Sequence, residues 1–308
     1  MFATKATDGG MNEHRWIASL IVAVLLVGGA TAQGTSGPRV SDSSVGYIDP
    51  AIPGDIFRFR FDASYNDRRP TRAEFFYPRS APAGPGLPRP EPRVDFQELA
   101  SYLEMAATDR LSGFVNVPVR FLNPEVNANH AGLSDVDAGL KYAFLFRDDF
   151  VATFQFRTYA PTGDSHRGLG THHVSLEPAL LVYDRLADRL ALESELRVWV
   201  PVNGTDFAGQ IIRYGVGLHY DVCRTSHCTF SPVVEFVGWT VLDGKEAVVP
   251  PSGAVFVHEA GGETIVNAKV GLRVKFGDRA DIYGGYGRPL TGDRWYENTL
   301  RLEFRLLY

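Results

Sequence analysis

The sequence predicts a closed, antiparallel, transmembrane β-barrel of about twelve strands, exported behind an N-terminal signal peptide. Three observations carry this. Long segments alternate apolar and polar residues with period two, the apolar face of the clearest segments holds no charge, and long and short connections between segments alternate along the chain. Composition agrees: the 308 residues include 31 Gly, 13 Tyr and 20 Phe but only 3 Met and 2 Cys, a balance suited to strands and turns. A net charge of -5 offers no basic excess for nucleic acid, so none is expected as a partner.

At the N-terminus, His14 and Arg15 precede an apolar run from Trp16 to Val27, and Gly28, Gly29 and the small residues Ala30, Thr31 and Ala32 follow. This is the pattern of a secretory signal over residues 1–32, cleaved after Ala32, and its apolar run is too short to span a bilayer as a helix. Met11 directly precedes the unit and offers an alternative start. Residues 33–54, "QGTSGPRVSDSSVGYIDPAIPG", are polar and turn-rich and read as a periplasmic leader or linker. Residues 55–308 are assigned to the barrel.

The first barrel segment, "IFRFRFDASY", sets Phe57, Phe59, Phe61, Ala63 and Tyr65 on one face and Arg58, Arg60, Asp62 and Ser64 on the other. Eleven more follow, giving expected strands at 55–65, 96–107, 111–121, 135–146, 150–160, 173–183, 189–200, 210–222, 229–241, 264–276, 280–287 and 296–308. Most exceed the five or six residues of an ordinary strand and match a tilted membrane crossing. In the strand at 264–276, Val266, Val270, Leu272, Val274 and Phe276 share a clean face opposite Lys269, Arg273 and Lys275. A soluble sandwich could also show alternation, but it has no reason to alternate its loop lengths. An outer-membrane barrel does, with short turns in the periplasm and long loops outside. The longest connection, 66–95, carries seven prolines and reads as an extracellular arm or partial lid.

The chain closes on "YENTLRLEFRLLY". Such a strand pairs with the first to close the cylinder, and its terminal aromatic, Tyr308, belongs at the lipid interface. It resembles the C-terminal signal by which bacterial outer-membrane barrels are recognised for assembly, which implies the barrel-assembly machinery and outer-membrane lipid as partners. Cys223 and Cys228, in "DVCRTSHCTF", are the only cysteines, and in an exported protein a disulfide is the expected state. A regular ladder that set them opposite each other would pair inward Asp221 with outward Phe230, so the bridge requires a bulge or a place beyond the ladder.

The middle of the chain carries "GLSDVDAGLKYAFL", "FQFRTYAPTGD" and "GLGTHHVSLEPALLVY". With Gly132, Asp135, Gly139, Lys141 and Tyr142, then Pro161 to Asp164, then Gly168 to Thr171, it is similar to the outer-membrane transporters named after the meta pathway of phenol degradation. The match runs from about 130 to 308, and the Pro-rich stretch falls outside it. The resemblance implies a barrel of the bacterial outer membrane that admits small solutes, hydrophobic or aromatic ones among them.

The inward faces supply the candidate lumen lining: Asp137, Lys141, Arg157, Glu177, Glu193, Glu195, Arg197, Arg213, Glu235, Lys269, Arg273, Arg301, Glu303 and Arg305. Mixed signs in a narrow barrel imply cross-strand carboxylate–guanidinium pairs, which either prop the barrel or form a selectivity ladder. No nucleotide motif, energy-coupling domain or cofactor fingerprint is present, so no cofactor is expected and solute would move down its gradient. The expected function is therefore a passive channel or facilitator; the alternative is a structural or adhesive barrel with an occluded lumen. Catalysis is not expected: a membrane-embedded hydrolase needs an outward serine and histidine, and Ser194 has no histidine partner in sequence. His166, His172 and His173 cluster in one long loop without the ligand spacing of a metal site. The solute and the oligomeric state are not legible.

Overall fold

The computed structural model describes residues 43–67, 86–89, 91–204, 207–225, 227–248, 256–292 and 294–308; the expected signal segment 1–32 and most of the Pro-rich connection lie outside these. Among the described residues sixteen strands follow in chain order: β1 (Ile56–Asp67), β2 (Val94–Thr108), β3 (Leu111–Pro124), β4 (His130–Leu133), β5 (Val136–Phe146), β6 (Phe150–Ala160), β7 (Val174–Ala187) and β8 (Leu190–Val202). Then come β9 (Ile211–Tyr220), β10 (Cys223–Arg224), β11 (Cys228–Val241), β12 (Lys245–Val248), β13 (Phe256–Glu259), β14 (Thr264–Phe276), β15 (Ala280–Pro289) and β16 (Asn298–Leu307).

Twelve of these strands make the wall. Each pairs antiparallel with its neighbours in the order β1-β2-β3-β5-β6-β7-β8-β9-β11-β14-β15-β16, and β16 returns to β1 with Ile56 opposite Leu307 and Tyr65 opposite Asn298. Closure leaves no unpaired edge, the condition for a sheet to sit in lipid. The short β4 continues the edge of β3 beyond β5, and β12 and β13 form a separate hairpin in a long connection. The twelve expected strands coincide with the wall to within a few residues at each end.

Side chains alternate across this wall, and the outward set is apolar. Leu140, Val270 and Leu302 are 61, 53 and 59% exposed, while their chain neighbours Lys141, Lys269 and Glu303 are buried. A protein that exposes leucine and buries lysine is built for hydrocarbon outside and polarity within. Tyr220, Phe276 and Tyr308 stand exposed at the short-turn end, and Tyr65 at the long-loop end, where aromatic girdles meet the headgroups. Both ends of the barrel domain lie on the short-turn side, which is the periplasmic side of such barrels.

Two expectations are corrected. Cys223 and Cys228 are free thiols, because Cys223 pairs with Phe230 in the β10–β11 ladder and Cys228 pairs outward with Phe276 of β14. The tight turn between them is closed instead by the Thr225 hydroxyl and amide, both bonded to Cys228. The second concerns the polar leader: its residues 43–54 do not trail into the periplasm but enter the barrel. Of the Pro-rich connection, the described part folds back on the rim. Leu87 packs with Val94, Leu122 and Leu169, and the Glu91 carboxylate accepts the amides of Glu125, Val126 and Asn127.

Candidate functional site: an occupied lumen

Residues 43–54 rise from the short-turn end to mid-barrel, bend at Gly46 to Ile48, and descend again to the start of β1. Depth is fixed by what each residue meets. Ser43 carbonyl accepts from Arg305 (2.7 Å) near the end of β16, Gly46 carbonyl accepts from Arg301 four residues deeper, and Asp49 reaches Arg157 (2.6 Å) and Arg197 (3.0 Å). On the way down, Thr153 donates to the Ala51 carbonyl and Gly54 N–H donates to Glu104 (3.3 Å), one step from the wall's end.

This peptide lacks regular structure, so its backbone groups need partners inside the barrel. The wall charges supply them by sign. Guanidiniums donate to carbonyls: Arg273 to Ser44 (2.9 Å) and Val45 (2.8 Å), and Arg213 to Tyr47 (2.5 Å). Carboxylates accept amides: Glu193 from Ser44 (3.0 Å), Glu235 from Gly46 and Tyr47 (both 2.9 Å), and Glu195 from Asp49 (3.3 Å). The charges that read as a pore lining are thus largely the receptor of an inserted segment. Charge-assisted hydrogen bonds of this kind are about twice as strong as neutral ones.

Space for the segment is also written into the wall. The inward positions of β9 run Arg213, Gly215, Gly217, His219, so two successive places have no side chain. A Cβ on Gly217 would lie 2.7 Å from Val45 Cγ1, and one on Gly215 3.1 Å from Ile48 Cγ1. Val45, Tyr47 and Ile48 pack there with Ile211, Val233, Val237 and Trp239.

Glu177, Asp137, Glu303 and Lys141, also predicted for the lumen, form a second layer behind those contacts. Glu177 holds Arg197 (2.8 Å) and accepts from Tyr159 (3.1 Å). Asp137 meets Arg157 (3.3 Å) and Asn116 (2.8 Å), and Glu303 meets Arg273 (2.9 Å). Lys141 pairs with Glu104 (2.8 Å), which also accepts from Ser112 (2.6 Å) and Tyr102 (2.5 Å). Expected cross-strand pairs occur at ladder partners: Arg120 with Glu98, Arg301 with Asp62, and Arg305 with Asp281. Arg197 and Arg213 are themselves ladder partners of like charge, and Glu195 lies between them, ion-paired with both.

Above the bend of the inserted segment lies a cavity of about 180 Å³, floored by Gly46, Tyr47 and Asp49 and walled toward the long loops by Glu98, Arg120 and Asp137. Seven Lys or Arg and five Asp or Glu line it, and Glu303 and Glu195 behind the lining pair Arg58 and Arg213. Sequence reasoning missed Asp49, which it placed in a leader, and Asp281, which anchors Arg273 (2.5 Å) and Arg305.

The other candidates are accounted for as follows. Ser194 lies on the outward face between Val182 and Val216 in the ladder and bonds to no histidine among the described residues. His166 and His172 have ring centroids 6.5 Å apart in the loop, while His173 is buried against Trp199 at 5.6 Å. Among the described residues no group of three or more His, Cys, Asp or Glu is placed to hold a metal ion.

An apolar belt outside, charge inside and a closed antiparallel wall now stand together. The chain is a β-barrel of the outer-membrane type. It is similar in fold to an outer-membrane channel from Pseudomonas putida F1, at 13% identity and a TM-score of 0.53 over 89% of this chain and 100% of that one. The NanC porin aligns at 10% identity and a TM-score of 0.47, covering 82% of this chain and 99% of its own. The KdgM porin does so at 10% and 0.44, with the same shares. No protein-family model matches the chain, and no curated protein matches it in sequence.

Proposed function

We propose that this barrel is a channel or facilitator for passive passage of small solutes across the bacterial outer membrane, held closed by its own residues 43–54. One observation carries the reading. The lumen is occupied by a peptide bound through polar contacts at its backbone, so a path can open by releasing those contacts without breaking the wall. A barrel meant only as a surface scaffold would gain more from a lumen filled with apolar side chains, since buried ion networks add little net stability. The cavity on the long-loop side supplies a vestibule in which a solute first sheds water.

Within the resemblance to transporters named after the meta pathway of phenol degradation, hydrophobic or aromatic solutes fit the aromatic side chains of the cavity, Tyr47, Phe96, Tyr102, Tyr159, Trp239 and Tyr296. The terminal strand with Tyr308 is read as the segment engaged by the assembly machinery, and the barrel is read as non-enzymatic. The second reading, a permanently occluded structural barrel, is favoured by the number of contacts that hold residues 43–54. Planar-bilayer recording of the purified protein separates the two. Discrete opening steps support the channel, and a bilayer that stays silent at all voltages, for a barrel shown to be folded, supports the scaffold.

A further inference from the structure

We propose that the cavity above the inserted segment contains a binding site for a small organic monocarboxylate, built around Lys269; the inference rests on the channel reading and names the solute class for it. Every other Lys or Arg of the candidate lumen lining has a carboxylate within 4.0 Å. Lys269 has none among the described residues, although Glu235 is its ladder partner, because that carboxylate turns to the amides of Gly46 and Tyr47. The Lys269 residue is only 5% exposed, and its ammonium sits 3.7 Å from the ring centroid of Tyr47. A ring face steadies one side of an ammonium but accepts none of its hydrogen bonds in the way an oxyanion does.

Two neutral donors share this corner. The Trp239 indole N–H and the Tyr296 hydroxyl are buried with no hydrogen-bond partner among the described residues, both residues line the cavity, and their ring centroids lie 5.6 and 5.9 Å from Lys269 Nζ. One ammonium and two neutral donors without acceptors ask for one negative charge carried on more than one acceptor atom. A carboxylate has that charge and geometry; a neutral alcohol lacks the charge. A dianion brings twice the charge of the one unpaired cation and is disfavoured accordingly. The surrounding rings of Tyr47, Trp239 and Tyr296 suit an apolar or aromatic body behind the carboxylate.

The test is calorimetric titration of the full-length, detergent-solubilised protein with benzoate, acetate, benzyl alcohol and inorganic phosphate. The wild type binds benzoate saturably at one site, more tightly than benzyl alcohol or phosphate. Lys269→Gln weakens it about tenfold or more, as expected for the loss of a charged hydrogen bond, and Trp239→Phe and Tyr296→Phe each weaken it severalfold. The two aromatic variants keep a ring at each position and serve if Lys269→Gln does not fold. The proposal is overturned if benzoate gives no saturable binding, if Lys269→Gln or both aromatic variants bind benzoate like the wild type, or if benzyl alcohol or phosphate binds as tightly. Binding is read without current, so a protein that binds benzoate yet stays silent in bilayers sinks the channel reading and leaves the site standing.

Discussion

Replacing Asp49 with alanine tests how the inserted segment is held. Asp49 is its only ionised side chain among the described residues, 16% exposed, and it bonds Arg157 at 2.6 Å and Arg197 at 3.0 Å. Hydrogen bonds to charged groups contribute roughly 1.5–3 kcal/mol each, and removal of the buried carboxylate also relieves its desolvation, so the lower value is the fair one for both. The wall is not left bare, because Arg157 keeps Asp137 and Arg197 keeps Glu177 and Glu195. The loss therefore falls on the inserted state: about 3 kcal/mol, or roughly a hundredfold shift toward release. In planar bilayers the fraction of time spent conducting rises by about that factor in Asp49→Ala, while unboiled gel mobility reports an intact barrel. An open fraction unchanged from wild type, in a folded barrel, would refute the assignment of residues 43–54 as the closing element.

Gly217→Leu places carbon where Val45 already lies 2.7 Å away, so it expels the segment and raises the open fraction, which single-channel recording reads directly. Arg273→Glu, which removes the donor to Ser44 and Val45 from a fully buried position, also opens the channel, whereas Arg60→Glu at the cavity wall shifts reversal potential toward cations at little change in open fraction. Leu302→Arg, on the lipid face of β16, destabilises folding into vesicles by ~2–4 kcal/mol, measured by denaturant titration.

The wall was legible in the sequence because one physical rule writes it: period two with a charge-free face. Val136 to Phe146 shows that rule plainly, and the strand begins and ends where it does. The occupant was not legible. "SSVGYIDPAIPG" has no period, and its partners come from strands as far apart in sequence as Arg157 and Arg305. Signals were present in retrospect: Val45, Tyr47 and Ile48 are apolar residues in an otherwise polar leader, and Gly215 and Gly217 leave successive inward places empty. The role of Lys269 was beyond sequence altogether. Its ladder partner Glu235 predicts an ordinary pair, and only the turn of that carboxylate toward Gly46 and Tyr47 leaves the ammonium without one. The cysteine pairing failed for a related reason, since the register of β10 on β11 sets Cys223 against Phe230.

The most direct test of the occupied lumen is a paired substitution, Val45→Cys with Gly217→Cys, in a protein whose native cysteines are serine. If residues 43–54 lie against β9 as described, mild oxidation joins the two thiols in the folded barrel and silences the channel, and a reductant restores its openings. A folded barrel in which the thiols stay unlinked under the same oxidation, with conductance unaltered, would contradict the placement.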